Sequence, residues 1–328
     1  MWKFIMKSLF AIVILLTVTM ITFFFMDMRP VKAEERALNK TGVISQAKIE
    51  LQKEALGYND PIHTRYLRWL GNVFKGDLGY YYDRDSTVNN YLFIFMGRSL
   101  LLNGVAFIVS LAISIPLGIL AAMKARKASD TIILVLTMIF TSVPSFYFGV
   151  LIILYFVKYV PGLLPISGIG DVLLRARGYP NIWVQITDTA HHMVLPVLSI
   201  SVVWIGTMVP FIRHAMLDVI HQDYVRTAKS KGLTNFAVFF KHTFRNALLP
   251  LISVASMLLP TLIISNILVE KVFSWPGMGM LFIESLNFGE RDMVIAITLF
   301  YAILVIAGNF ISDALYVKSD ARIKEGIS

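Results

Sequence analysis

Between Arg213 and Arg245 the chain carries six lysines and arginines against two aspartates and no glutamate, and long apolar stretches flank the segment. Cations interleaved with aromatic side chains are suited to recognition rather than to making or breaking bonds. Gly232 fits a residue just past a helix end. Thr234 and Asn235 are good N-caps for a second short helix. That helix carries Phe236, Phe239 and Phe240 on one side, with Lys241 and His242 near its end. Aromatics spaced by three and four make one apolar face. Such a face fits a partner's groove or the chain's own bundle, and composition alone leaves both open.

Several chemistries are excluded by what the chain lacks. It has no cysteine, which removes disulfides, thiolate metal sites and thiol nucleophiles. It has no G-x-x-x-x-G-K-[ST] cradle for nucleotide phosphates and no H-E-x-x-H zinc motif. His191 and His192 are adjacent, so on a helix they point about 100° apart. They read as polar residues at a membrane edge rather than as metal ligands. No catalytic, cofactor-binding or metal-binding residue is therefore expected. Ionisable groups are nearly absent inside the apolar stretches, where a proton- or sodium-driven carrier would keep them. An intramembrane enzyme lacks its paired histidines or carboxylates, and a channel lacks a filter-like segment.

The elements that carry these residues belong in a bilayer. Apolar residues make up 56% of the 328, and charged residues only 16%, against about 25% charged in soluble domains. The net charge of +9 gathers in short loops, so nucleic acid is not an expected partner. Six stretches suit crossing helices: Ser8 to Met26, Ser99 to Met123, Thr131 to Val157, Met193 to Ile212, Ala247 to Val269 and Met293 to Ser312. The first has no signal-like cleavage site after it and reads as a retained span. Lys124, Arg126 and Lys127, the basic loop, and Lys318, Arg322 and Lys324 all fall on one side. That side is the cytoplasm, with both termini in it and Asp27 to Asn90 outside.

Three further features stand out. Tyr66, Leu67, Trp69, Leu70, Val73 and Phe74 suit a short amphipathic helix outside, followed by a turn at Gly76-Asp77-Leu78-Gly79. Tyr80, Tyr81 and Tyr82 then suit an interfacial belt or a docking surface. Pro116, Pro144, Pro196, Pro210 and Pro260 each remove a helical hydrogen bond within a span. Pro144, Ser145, Phe146 and Tyr147, near the middle of the third span, form the candidate pathway element, with a packing kink as the alternative. In VEKVFSWPGMG, Pro276 stops a helix and Gly277 and Gly279 permit a tight reversal. Glu270 and Lys271 read there as an edge ion pair.

The run DYVRTAKSKGL, closed by Leu249 and Pro250, resembles the "EAA" loop of bacterial ABC importer permeases, in the dipeptide, oligopeptide and nickel branch. Arg226, Thr227 and Ala228 fill the acidic-Ala-Ala slot, with Arg226 in place of the acidic residue. RYLRWLGNVFKGDLG and VEKVFSWPGMG are similar to stretches of the same branch. So is the tail SDARIKEG, where Ala321 replaces a proline. The resemblance covers nearly the whole chain. It implies an all-α, polytopic membrane protein with six transmembrane helices and the type I ABC importer permease fold. The implied divisions are a first helix over 1–26, an external segment over 27–92, a permease core over 93–317 with its coupling loop at 213–247, and a tail over 318–328.

It also implies a transport subunit rather than an enzyme, in a bacterial cytoplasmic membrane. The implied partners are a second homologous permease, two ATP-binding cassette subunits and an extracellular substrate-binding protein. ATP is then used by the partners, and this chain binds no cofactor. The implied cargo is a peptide, with nickel or a metal chelate as the alternative. Arg226, Thr227, Ala228, Gly232, Phe236, Phe239, Phe240, Lys241, His242 and Pro250 become the contacts that transmit ATPase motion.

Overall fold

Long apolar runs leave the backbone one way to satisfy itself in lipid, and the computed structural model is accordingly helical. It describes residues 2–28, 60–220, 222, 230 and 266–319. Four of the described helices are long and apolar enough to cross a membrane. They are α1 (Trp2–Asp27), α3 (Val88–Met123), α7 (Ile182–Ile220) and α10 (Arg291–Ser319). A fifth crossing is made if α4 (Ala128–Ser142) and α5 (Ser145–Tyr159), bent by 98° at their junction, count as one. The expected span at Ala247 to Val269 lies outside the described residues except for its last four.

The third expected span is therefore broken. Val143 is extended, at φ −99° and ψ 123°. A residue before proline is pushed out of the helical region, because the proline ring crowds its amide and Cβ. Pro144 then caps α5, and its carbonyl accepts from the amides of Tyr147 and Phe148 at 3.0 and 3.1 Å. The other described prolines of the expected spans act differently: Pro116 lies inside a continuous α3, and Pro196 and Pro210 inside a continuous α7. α7 also begins eleven residues before the expected span and runs on to Ile220, past the expected loop start at 213. At 39 residues it is about 58 Å long, well beyond a bilayer core.

The chain divides into two units. The first joins Met1–Ser99 with Pro276–Ile306. Here the expected external helix is α2 (Ile62–Phe74), and its Tyr66 and Trp69 are buried beside Phe23 of α1. Arg65 grips Asp27 at the end of α1 with two bonds of 2.6 and 2.5 Å. The Gly76–Gly79 turn leads into a two-stranded hairpin, β1 (Tyr80–Tyr81) and β2 (Ser86–Thr87). The tyrosines are not equivalent. Tyr81 is 1% exposed and packs edge-on against Tyr91, while Tyr80 and Tyr82 are half-buried and touch each other. Glu290, itself 1% exposed, pins the hairpin by accepting from the amides of Tyr82 and Asp83 at 3.1 and 2.7 Å. It sits in the turn between α9 (Met278–Phe288) and α10.

The second unit joins Leu100–Trp275 with Ala307–Ser328. α7 is its axis and packs against α4 and α5. One core layer gathers Leu102, Leu195, Ile200, Phe273 and Trp275, and another Met208, Ile212 and Met216. Short helices α6 (Val172–Arg177) and α8 (Ile267–Val272) also belong to it. In α8, Glu270 is fully buried and Lys271 is exposed, so these neighbours face different surroundings.

Candidate functional site

Pro144, Ser145, Phe146 and Tyr147 occupy the elbow between α4 and α5. Pro144 and Tyr147 are exposed, whereas Phe146 packs against the core layer around Leu195 and Phe273. Ser199, buried on α7, donates to the carbonyl of Ser145, the first residue of α5, at 2.5 Å. Gly149 lets α5 come close: a Cβ there would stand 2.8 Å from the Phe273 ring and 2.9 Å from Ser199 Oγ. Gly206 does the same on the α4 side, where a Cβ would stand 2.8 Å from the Thr137 carbonyl. Small residues at such crossings are how helices approach in lipid, where no hydrophobic force drives them together.

The elbow is also tied at its far end. Arg213 Nε and Nη2 donate to the two oxygens of Asp130 at 2.6 and 2.7 Å, and the side chains are 14% and 4% exposed. The Arg126 amide donates to the same carboxylate at 2.9 Å. Charge-assisted, two-point contacts of this kind fix geometry as well as contribute attraction. In sequence Arg213 reads as one more cation of the basic loop, and Asp130 does not stand out. The available signal is a single charge at the edge of each apolar segment.

On the segment before and at the start of α7, Asp188 organises a second polar cluster. Its carboxylate accepts from the Tyr179 hydroxyl at 2.7 Å and the Asp171 amide at 2.8 Å. His192 Nδ1 lies 3.2 Å from the same carboxylate and 2.9 Å from the Asp188 carbonyl, so that nitrogen carries the proton. Burial first, then the Asp188 bond, raises the Tyr179 hydroxyl above its ordinary pKa. Among the described residues no group of three or more His, Asp or Glu is placed to hold a metal ion. Arg226, Thr227, Ala228, Gly232, Phe236, Phe239, Phe240, Lys241, His242 and Pro250 all lie outside the described residues.

Residues 114–325 match the family described as binding-protein-dependent transport system inner membrane component, and residues 1–86 match its N-terminal companion family. The chain belongs to this family. It is a multi-pass membrane protein and the permease subunit of an ABC importer, so its role is transport and not catalysis. The chain is similar to the oligopeptide transport system permease protein AppB of Bacillus subtilis strain 168, at 36% identity over 97% of this chain and 98% of that protein. It is similar to the dipeptide transport system permease protein DppB of Escherichia coli K12, at 30% over 99% of each. The oligopeptide transport system permease protein OppB of Haemophilus influenzae is 30% identical over 99% of this chain and all of its own length.

Proposed function

We propose that this chain is one transmembrane half of a bacterial peptide importer. The observation that carries the reading is end-to-end similarity to permeases named for oligopeptide and dipeptide transport. The bent pair α4–α5 fits it, because a helix broken within a bilayer is tolerated where protein buries the break or where it lines a water-filled cavity. The other half of the pathway comes from a second homologous permease. Two ATP-binding cassette subunits bind and hydrolyse the ATP, and an extracellular binding protein delivers the peptide. The loop at 213–247, and within it the Phe236/Phe239/Phe240 face, docks on a cassette subunit. Both termini and that loop face the cytoplasm, with 27–92 outside. This chain binds no cofactor.

The mechanism follows from those parts. ATP draws the two cassette subunits together, and the docked loops move with them. α7 enters that loop at Ile220, so the motion arrives at one end of a 39-residue rod. The elbow, carried on that rod, changes the shape of the pathway. Reconstitution tests the reading. The complete complex in liposomes should import labelled peptide and hydrolyse ATP faster when loaded binding protein is present. The isolated chain should hydrolyse none, and ATP turnover by it would overturn the proposal.

A further inference from the structure

Resting on the import reading, we infer that Asp130 and Arg213 form a positioning pair that makes the α4–α5 elbow travel with α7. The pair is one of three ties between α7 and the bent helices, and they fall on both sides of the bend. Arg213 holds Asp130 at one end of α4, Gly206 lies against Thr137, Phe140 and Thr141 along it, and Ser199 holds the Ser145 carbonyl at the start of α5. Apolar contacts and close-packed glycines can slip along a helix. A planar guanidinium gripping both oxygens of a carboxylate cannot slip without breaking.

The placement of the pair supports a mechanical role. Asp130 is the single charged residue of α4, is 3% exposed, and sits in its first turn. The turn before it is fixed as well, because Arg126 is held at φ +67° and gives its amide to the same carboxylate. Arg213 lies seven residues before the end of α7. Displacement of that end therefore reaches the first turn of α4 directly. α4 is a rod of about 22 Å, and it delivers the displacement to Val143, one extended residue, where the chain bends. Holding two helices together does not require such a pair. A buried ion pair stabilises no better than a well-packed apolar one, and its attested value is in fixing register.

The test uses the complete transporter in proteoliposomes, with a labelled peptide and its binding protein, reading peptide imported per ATP hydrolysed. Asp130→Asn keeps the shape and an acceptor for the Arg126 amide but removes the charge. It and Arg213→Gln should still assemble with the cassette subunits, while peptide per ATP falls on the order of tenfold. The double variant Asp130→Cys with Arg213→Cys should be equally uncoupled, and a short bifunctional thiol reagent joining the two positions should restore the ratio. Restoration distinguishes a link that must hold from a fold that has merely weakened. The inference is overturned if both single variants keep the wild-type ratio, or if the joined double variant stays uncoupled. Wild-type complex that imports no peptide would instead sink the import reading itself.

Discussion

Replacing Gly206 by alanine tests the packing that carries the elbow. A Cβ at this position meets the Thr137 carbonyl oxygen at 2.8 Å, Phe140 Cβ at 3.0 Å and Thr141 Cγ2 at 3.0 Å. Carbon–oxygen contacts ordinarily stop near 3.3 Å, and carbon–carbon contacts are most favourable at about 3.5–4.0 Å. Two of the three obstacles belong to the backbone or to Cβ, so rotamer changes cannot clear them. The helices must part by about half an ångström along the crossing, and overpacking of this size costs about 1–3 kcal/mol. Gly104, on α3, supplies the contrast, because a Cβ there would meet nothing within 4 Å. Alanine at that position should stabilise by about 0.5–1 kcal/mol through helix propensity alone. The two variants should therefore differ by about 1.5–4 kcal/mol in opposite directions. The assay is the thermal midpoint of the detergent-solubilised chain. It is followed by thiol labelling of a reporter cysteine at Met208, which is 2% exposed, in a protein with no cysteine of its own. Peptide uptake should fall with Gly206→Ala and hold with Gly104→Ala. Equal midpoints for the two would refute the close-packing argument.

Three other outcomes are expected. Gly232→Val and Phe239→Asp should insert in the membrane yet lose uptake and co-purify poorly with the cassette subunits; wild-type uptake in both would remove the loop from the transmission path. A membrane-impermeant thiol reagent should label Asn59→Cys in intact cells and spare Ser230→Cys, and the opposite pattern would reverse the orientation. Burial, aided by Asp83, Glu284 and Glu290 and opposed by the Arg84 bond, pushes the Tyr81 hydroxyl up to about 12, above about 10 in an unfolded chain. Its contribution is thus whole below about pH 10 and is lost as pH rises towards 12, because the unfolded chain gives up the proton first. Thermal midpoints should fall across that window in the wild type and less in Tyr81→Phe, and parallel curves would exclude Tyr81 as the cause.

How much of this was legible in the sequence depends on the range over which each signal acts. Apolar runs, the amphipathic stretch at Tyr66 to Phe74 and the glycine turn at 76–79 are local patterns, and each appears as the element expected. The five prolines within the expected spans carry the same local signal, a missing amide and a crowded preceding residue. What separates Pro144 from Pro116, Pro196 and Pro210 is whether neighbouring helices hold the two broken ends in place, and that is decided by residues far along the chain. Ser199 reaching the Ser145 carbonyl across 54 positions is one such hold. Tyr81 shows the same limit, since three consecutive tyrosines on a hairpin must alternate between faces and only the partner strand chooses which goes inward.

The elbow and its ties also explain why the site could not be read as chemistry. The pathway proposed for it needs groups that change position, not groups that change protonation or bonding. Such groups leave no compositional trace beyond small residues and occasional charges at helix edges. Asp130 and Arg213 are 83 positions apart and unremarkable singly. Together they convert two packed helices into one lever, because a two-point bond resists rotation and sliding at once. The same logic places the glycines. Gly149 and Gly206 mark close crossings on either side of the bend, each with no room for a methyl group, so α7 lies tight against the bent pair both before and after its break. A rod gripped at three points transmits displacement with little loss, whereas a rod gripped at one point would pivot there and leave the elbow behind.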